Sequence, residues 1–249
     1  MPNLYTKNIS ITSGAQVDKN NPLPPGQKAI AHFPRFGLSQ FANRIAKQGE
    51  QLEVSVTGDV AHALNISPSL QTLTRIEQQS DFHCVTTWTF QGARWSGYRF
   101  ADVFSQLIAP QCNPHRDATF IVFRCHDGYA PNLLLSDLLA DDVLLADRLN
   151  DQPLSIEHGA PLRLVAPAHY GYKNAKHLKA IEFRRSDENY RRASFKFMDH
   201  PRARVALEER GRYFPNWILR YLYRPLVRPT IRQFQAAMDK HRVRNNRNS

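Results

Sequence analysis

Short apolar segments, separated by turns rich in glycine, proline and asparagine, limit the folds that this chain can adopt. Strands are predicted by apolar runs or by alternation of apolar and polar residues over 51–60, 119–124, 144–146, 162–167 and 180–184. Helices are predicted near 67–70, with Ser67 as the cap, over 100–108 and over 137–139. Because these elements do not alternate as regular βαβ units, we predict an α+β fold with a mixed sheet.

The length and composition are typical of a globular protein. A chain of 249 residues with 42% hydrophobic and 22% charged residues can form one large domain, or one domain with an appendage. It contains no uninterrupted apolar run of the length that a membrane helix needs, and residues 1–5 lack an apolar leader and a twin-arginine pair. We therefore expect a cytoplasmic protein without a membrane span.

The C-terminal segment carries the whole excess of positive charge. Residues 184–249 contain 17 Lys and Arg and 6 Asp and Glu, and the net charge of the chain is +11. The segment is expected to be mainly helical, over 202–210 and over 230–242, with Ile231, Phe234, Ala237 and Met238 on one face. An aromatic and apolar run at 217–223 lies between these two predicted helices.

Two interpretations of this basic segment remain open. Its charge, interleaved with aromatic residues, suits a nucleic acid or another anionic surface. Its apolar run at 217–223 instead favours packing against the main domain or against a second subunit, with the arginines in solvent. We favour packing, and we do not expect nucleic acid as the partner.

Chemistry-bearing residues concentrate in two blocks of the sequence. The first, 81–88, presents Cys84 close to a tryptophan, and a thiolate is a preferred ligand of soft transition metals. The second, 158–176, places Arg163 and two lysines on loops, and such cations are the usual ligands of a phosphate. The three cysteines have no CxxC spacing, so neither a disulfide framework nor a thiolate zinc site is indicated.

An ordered series of motifs resembles the molybdopterin-binding domain of the sulfite oxidase family. The series consists of Cys84, Trp88, Trp95 and Gly97, then Asp127-Gly128-Tyr129, then Leu144-Leu145-Ala146, His158-Gly-x-Pro-x-Arg163 and Lys176. The resemblance implies a catalytic domain with the sulfite oxidase molybdopterin-domain fold over 28–184. The aperiodic composition of 1–27 predicts an extended arm, and the charge and pattern of 185–249 predict a basic helical extension. The resemblance also implies a molybdenum–molybdopterin cofactor and an oxidoreductase activity.

The resemblance implies a role for each matching residue. Cys84 is expected to bind the metal, and the expected cofactor-binding residues are Cys84, His32, His158, Arg163, Lys173, Asn174, Ala175 and Lys176. Tyr129 is the expected proton-handling residue. For His32 and Tyr129 the alternatives stay open, since a histidine before an aromatic residue is commonly packed or exposed and a tyrosine after Asp-Gly is commonly structural.

Departures from the family pattern indicate the kind of substrate. Ile30 and 86–88 stand where animal and plant sulfite oxidases have basic residues, so the chain resembles bacterial members that reduce methionine sulfoxide more than animal sulfite oxidase. We expect oxygen-atom transfer to or from a small sulfur- or nitrogen-containing substrate. The sequence has no haem or flavin motif, so a separate electron donor or acceptor protein is expected. A homo-oligomer formed through the extension is a further expectation, and the alternative function is an anionic-surface or nucleic-acid binder.

Overall fold

Two β-sheets form the centre of the structure, a computed structural model that describes residues 22–46 and 52–248. The six-stranded sheet contains β1 (Lys28–Ala29), β4 (Arg75–His83), β5 (Trp88–Arg99), β8 (Leu144–Leu149), β9 (Gln152–Pro153) and β10 (Arg163–Val165). The five-stranded sheet contains β2 (Ser55–Gly58), β3 (Leu64–Asn65), β6 (Phe120–Cys125), β7 (Asn132–Leu134) and β11 (Leu178–Arg184). The strands predicted within the described ranges are therefore confirmed.

Both sheets are mixed. In the first sheet β1 pairs in parallel with β5, and in the second β2 pairs in parallel with β11. The remaining pairings are antiparallel, including the long hairpin of β4 and β5. The predicted α+β class with mixed strand directions is confirmed, with two sheets where the sequence analysis expected one.

Short helices connect the strands. They are α1 (Ser67–Leu70), α2 (Phe100–Val103), α3 (Ala109–Cys112) and α4 (Leu135–Leu138), and a π-helical turn at Phe104–Ile108 joins α2 to α3. The predicted helix at 100–108 is thus present and continues to Cys112. The prediction that Ser67 caps α1 is wrong, because Ser67 is the first helical residue and its hydroxyl accepts a hydrogen bond from the Val54 amide at 2.6 Å.

Two clusters of buried apolar side chains pack against the sheets and stabilise them. The larger one joins β6, β11 and the helices after β5, and it includes Phe100, Phe123 and Phe183, all fully buried. The smaller one surrounds the β4–β5 hairpin and includes Trp88 and Trp95. Burial of such aromatic side chains contributes about 25 cal/mol per Å² of apolar surface removed from water, so the hairpin is held firmly where Cys84 lies.

The extension begins with irregular chain. The predicted helix over 202–210 is wrong, because polar side chains satisfy the backbone in another way. The Glu209 carboxylate accepts hydrogen bonds from the Arg204 amide at 2.9 Å and from its guanidinium, and Ala203 and Glu208 have positive φ angles of 58° and 54°. Tertiary contacts therefore override helical propensity in this segment.

Two helices follow, α5 (Asn216–Tyr223) and α6 (Val227–Asn248), and they pack on the domain through one face. The residues of this face that are buried are Leu219, Tyr223, Phe234, Ala237 and Met238. Trp217, Tyr221 and Leu222 are about 60% exposed. The predicted packing of the apolar run at 217–223 is therefore confirmed only for the face that lies against the domain. Every helix in the described ranges is too short or too polar to span a bilayer.

The boundaries of the predicted arm, domain and extension stay a prediction. Residues 1–21 of the arm lie outside the described residues. Within the extension, many arginines are ion-paired, for example Arg202 with Asp137 and Arg242 with Glu157. These ion pairs neutralise positive charge within the structure. A protein that binds an anionic surface would need that charge free.

Candidate active site

Cys84 lies in the tight connection between β4 and β5. Its amide donates to the Trp88 carbonyl at 2.8 Å, and its carbonyl accepts from the Thr87 amide at 3.1 Å, with Thr87 in the left-handed region at φ 87°. The Gln27 side chain also donates to the Cys84 carbonyl at 3.0 Å. The backbone of the metal ligand predicted from the sequence is therefore fixed from both sides.

A cavity of about 310 Å³ opens beside this connection. Its wall combines Cys84 with aromatic and aliphatic residues from distant parts of the chain, including the extension. The lining includes Phe33, Phe36, Leu38, Phe41, Phe82, Trp88, Tyr129, Tyr172, Met198, Tyr223, Leu226 and Phe234, together with Arg35, Asp127, Asn174, Lys176 and His177. The cavity is thus mainly apolar with one polar side.

The Cys84 thiol is buried and stays protonated in the absence of a cation. Burial raises its pKa to about 11, against a smaller opposing effect of a hydrogen bond with the Thr86 hydroxyl, whose oxygen is 3.1 Å from the sulfur. Within residues 22–46 and 52–248, no three His, Cys, Asp or Glu side chains group as a metal site. A metal at Cys84 would therefore take its remaining ligands from a cofactor, as a single-thiolate site requires.

Arg163 is completely buried, and only some of the N–H groups of its guanidinium have hydrogen-bond partners. Its guanidinium stacks on Trp95, with 4.8 Å to the ring centroid, and donates from Nη1 to the His158 carbonyl at 2.9 Å. Its Nη2 is buried without a hydrogen-bond partner in the described structure, and so is Nδ1 of His158. Burial lowers the pKa of Arg163 to about 9. A buried donor without a partner is costly, and an anion bound there would satisfy it.

Gly159 brings the second cation to Arg163. It has φ 109°, and a Cβ at this position would lie 3.1 Å from Cβ of Lys176 and 3.2 Å from Cβ of Arg163. Burial, followed by the charges of Arg163 and Arg35, lowers the pKa of Lys176 to about 7. Burial also lowers the pKa of His158 to about 3. Burial is the main cause of both shifts, and neighbouring positive charges add to it, as expected for a phosphate site.

Arg35 is a site residue that the sequence analysis missed. It lines the cavity and lies 4.9 Å from the Phe234 ring centroid, while its guanidinium donates to the carbonyls of Ala42, Phe41 and Arg44. Its position three residues after His32 was the sequence signal that could have identified it. His32 itself is exposed, and Phe33 and Arg35 from the same segment line the cavity.

The loop over 173–176 has only part of the predicted arrangement. Lys176 and Asn174 line the cavity, with the Asn174 side chain bonded to the Ala166 amide at 2.7 Å, whereas Ala175 is buried in the core. Lys173 lies apart from this group, because its ammonium is fully buried against Asp199 at 3.0 Å and Asn132 at 3.2 Å. Lys173 does not line the cavity, and its expected contact with the cofactor stays a prediction.

Tyr129 lines the cavity with its hydroxyl already engaged. The phenol donates to the Tyr172 carbonyl at 2.7 Å, and burial raises its pKa well above the usual range. The group therefore stays protonated, and its oxygen keeps the ability to accept a hydrogen bond. Its position at the cavity agrees with the expected role and does not decide between that role and a structural one.

A buried cysteine that lines the same cavity as Lys176, near the unpaired Nη2 of buried Arg163, suits an anionic cofactor that carries a soft metal. Comparison with known families identifies that cofactor. The chain belongs to the family described as the oxidoreductase molybdopterin binding domain, whose model matches residues 42–191. It is therefore a molybdopterin-binding oxidoreductase, and the buried donors described above fit the group.

Three relatives illustrate the family. The chain is 34% identical over 171 residues to the uncharacterised oxidoreductase YuiH of Bacillus subtilis, covering 68% of this chain and 82% of that protein. It is 30% identical over 131 residues to a candidate protein-methionine-sulfoxide reductase subunit, YedZ1, of Azospira oryzae, covering 53% and 47%. It is 31% identical over 115 residues to mitochondrial sulfite oxidase of Drosophila melanogaster, covering 42% and 19%. The chain thus spans less than half the length of the last two.

Proposed function

We propose that this protein transfers an oxygen atom to or from a small, neutral sulfur- or nitrogen-containing substrate at a molybdenum–molybdopterin cofactor. Cys84 would hold the metal, and Arg163, His158 and Lys176 would hold the anionic end of the pterin, with Asn174 shaping the loop. The observation that carries the proposal is the buried Arg163 Nη2 without a partner among the described residues, near Lys176. Lys176 lines the cavity together with Cys84, whereas Arg163 is not part of the wall.

The cofactor, when bound, supplies the two-electron redox change that oxygen-atom transfer requires. The protein itself positions the cofactor and the substrate, and it excludes water from the site. The β4–β5 connection fixes Cys84, and the stack of Trp95 on Arg163 holds the guanidinium with Nη2 available. The Tyr129 phenol, which stays protonated, is the proposed proton-handling group near the substrate.

A neutral substrate is favoured because both strong cations of the wall are engaged, Lys176 in this proposal with the cofactor and Arg35 within the protein. Arg35 donates to three carbonyl oxygens, so its guanidinium is already occupied. Ile30 and the residues after Cys84 contribute no cation. The aromatic lining suits a compound such as a sulfoxide or an amine N-oxide better than the sulfite dianion, whose desolvation is costly.

Electrons are expected to come from or pass to a separate protein. The cytoplasmic location and an assembly through the extension likewise stay predictions.

Steady-state kinetics on protein made in a cofactor-competent host test the proposal. We expect turnover of methyl phenyl sulfoxide or trimethylamine N-oxide with a reduced dye, and poor oxidation of sulfite. Efficient sulfite oxidation, with no turnover of either neutral oxide, would overturn the proposed substrate class.

A further inference from the structure

Tyr223 brings an unpaired hydroxyl to the cavity from outside the matched family region. The family model ends at residue 191, whereas Tyr223 is the last residue of α5 in the extension. Its side chain is 6% exposed and lines the same cavity as Cys84. Its hydroxyl is buried without a hydrogen-bond partner among the residues that the structure describes.

An unpaired phenol in such a place calls for an explanation. A buried hydroxyl without a partner loses its hydrogen bonds to water without replacement, and native proteins rarely retain one. Replacement of Tyr223 by phenylalanine would remove that cost and keep the apolar ring. The retained hydroxyl therefore indicates a ligand that supplies the missing partner.

The chemistry of the hydroxyl narrows the class of ligand. Burial raises the pKa of Tyr223 above its usual range, so the phenol remains a donor at physiological pH. Trp88, also in the wall, has a buried indole N–H without a partner in the described part of the chain. An indole N–H can only donate, so the two groups together favour a ligand with an oxygen acceptor.

Other polar groups in the wall are engaged within the protein. The Tyr129 hydroxyl donates to the Tyr172 carbonyl, and the Asn174 amide nitrogen lies 3.4 Å from the carbonyl oxygens of Ala166, His169 and Tyr170. These groups have less to gain from a ligand than Tyr223 has. Around Tyr223, the neighbouring Leu226 and the more distant Phe234 give the extension's part of the wall an apolar character.

We propose that Tyr223 is a substrate-binding residue whose hydroxyl donates a hydrogen bond to the oxygen of a neutral sulfoxide or N-oxide. This inference rests on the proposed function and adds to it that the extension helps to set the substrate class. The apolar groups from the extension enclose the carbon substituents of the substrate, while the phenol holds its oxygen. Substrates without an acceptor oxygen gain nothing from the phenol.

Binding measurements on the cofactor-loaded, oxidised protein test this inference without turnover. The probes are methyl phenyl sulfoxide and isopropylbenzene, which has a similar shape but no acceptor oxygen. The variant is Tyr223→Phe, and the matched control is Tyr221→Phe, which alters an exposed tyrosine of the same helix. Tyr223→Phe should raise the Kd of the sulfoxide roughly 2- to 10-fold, as loss of one neutral hydrogen bond does. The Kd of isopropylbenzene should not change.

Steady-state kinetics give a second readout. Tyr223→Phe should raise KM for the sulfoxide by a similar factor, while Tyr221→Phe should behave as the wild type. Equal sulfoxide affinity in Tyr223→Phe and the wild type would overturn the inference and leave the proposed function intact. An equal loss of affinity for both probes would also overturn it, because it would show a change of packing. If the molybdenum-loaded wild type bound neither sulfoxide nor N-oxide, the proposed substrate class itself would fail.

Discussion

The guanidinium of Arg210 donates a hydrogen bond from Nη1 to the carbonyl of Val85, the residue that follows Cys84. Arg210 is completely buried, and its Nη2 donates to the Pro25 carbonyl at 2.9 Å. One arginine of the extension therefore joins the connection that carries the cysteine to the segment before β1. The extension supports the active site and also forms part of its wall.

Replacement of Arg210 by methionine should destabilise the protein. The change removes the donors to the Val85 and Pro25 carbonyls and one partner of Glu208, which accepts from Arg210 at 3.0 Å and keeps its pair with Arg220. Loss of these hydrogen bonds should cost about 1–3 kcal/mol. Urea unfolding measures the loss, and Arg232→Met on the exposed side of α6 should stay within about 0.5 kcal/mol of the wild type. Equal stability of the two variants would contradict the role given to Arg210.

Lys176 should give the cofactor-free protein a characteristic dependence of stability on pH. Its folded-state pKa is lowered from 10.5 to about 7, so between these values the folded chain binds fewer protons than the unfolded chain. Stability from this group therefore increases as the pH rises from about 7 to 10.5. Thermal unfolding of Lys176→Met should show a flatter rise, whereas Lys179→Met, which alters an exposed lysine, should keep it. An unchanged slope in Lys176→Met would contradict the burial of the Lys176 ammonium, whose hydrogen-bond partner is the Glu157 carbonyl at 3.1 Å.

Arg163→Met should release the cofactor. The variant removes the buried donor that is proposed to meet the anionic end of the pterin, and a hydrogen bond to a charged group contributes about 1.5–3 kcal/mol. Pterin content after gel filtration measures the retention, with Arg148→Met, a change at an exposed position of β8, as the control. Full pterin occupancy in both Arg163→Met and Lys176→Met would place the anion elsewhere.

Lys173→Met should act on stability and leave cofactor retention nearly unchanged. Its ammonium lies between Asp199 and Asn132 and does not reach the cluster formed by Arg163 and Lys176. The same pterin measurement, combined with urea unfolding, separates the two effects. Selective loss of the pterin from a Lys173→Met variant of normal stability would restore the role expected from the sequence.

The residues that the sequence identified best are those whose neighbours along the chain carry the chemistry. Cys84 stands in a motif whose turn geometry is local, and Arg163 follows His158 and Gly159 at a fixed spacing, so both positions are recognisable without a structure. Lys173 shares a loop with Lys176 but points elsewhere, because Lys173 ends the 3₁₀ turn at Gly171–Lys173 and its ammonium is held by Asp199 and Asn132.

The contributions of distant segments could not be predicted. Tyr223 and Arg210 reach the site only because α5 and the irregular chain before it pack against the β4–β5 hairpin. Arg35 enters the wall through bonds to carbonyls at 41–44. No local pattern encodes such contacts, which depend on tertiary packing. For the same reason helical propensity failed at 202–210.

X-ray absorption at the molybdenum edge tests whether Cys84 supplies a thiolate to molybdenum. Protein from a cofactor-competent host should contain molybdenum with sulfur neighbours. In Cys84→Ser any retained metal should show fewer of them, while Cys112→Ser, which alters a cysteine buried in the main core, should match the wild type. An unchanged sulfur shell in a folded, molybdenum-containing Cys84→Ser variant would contradict the account.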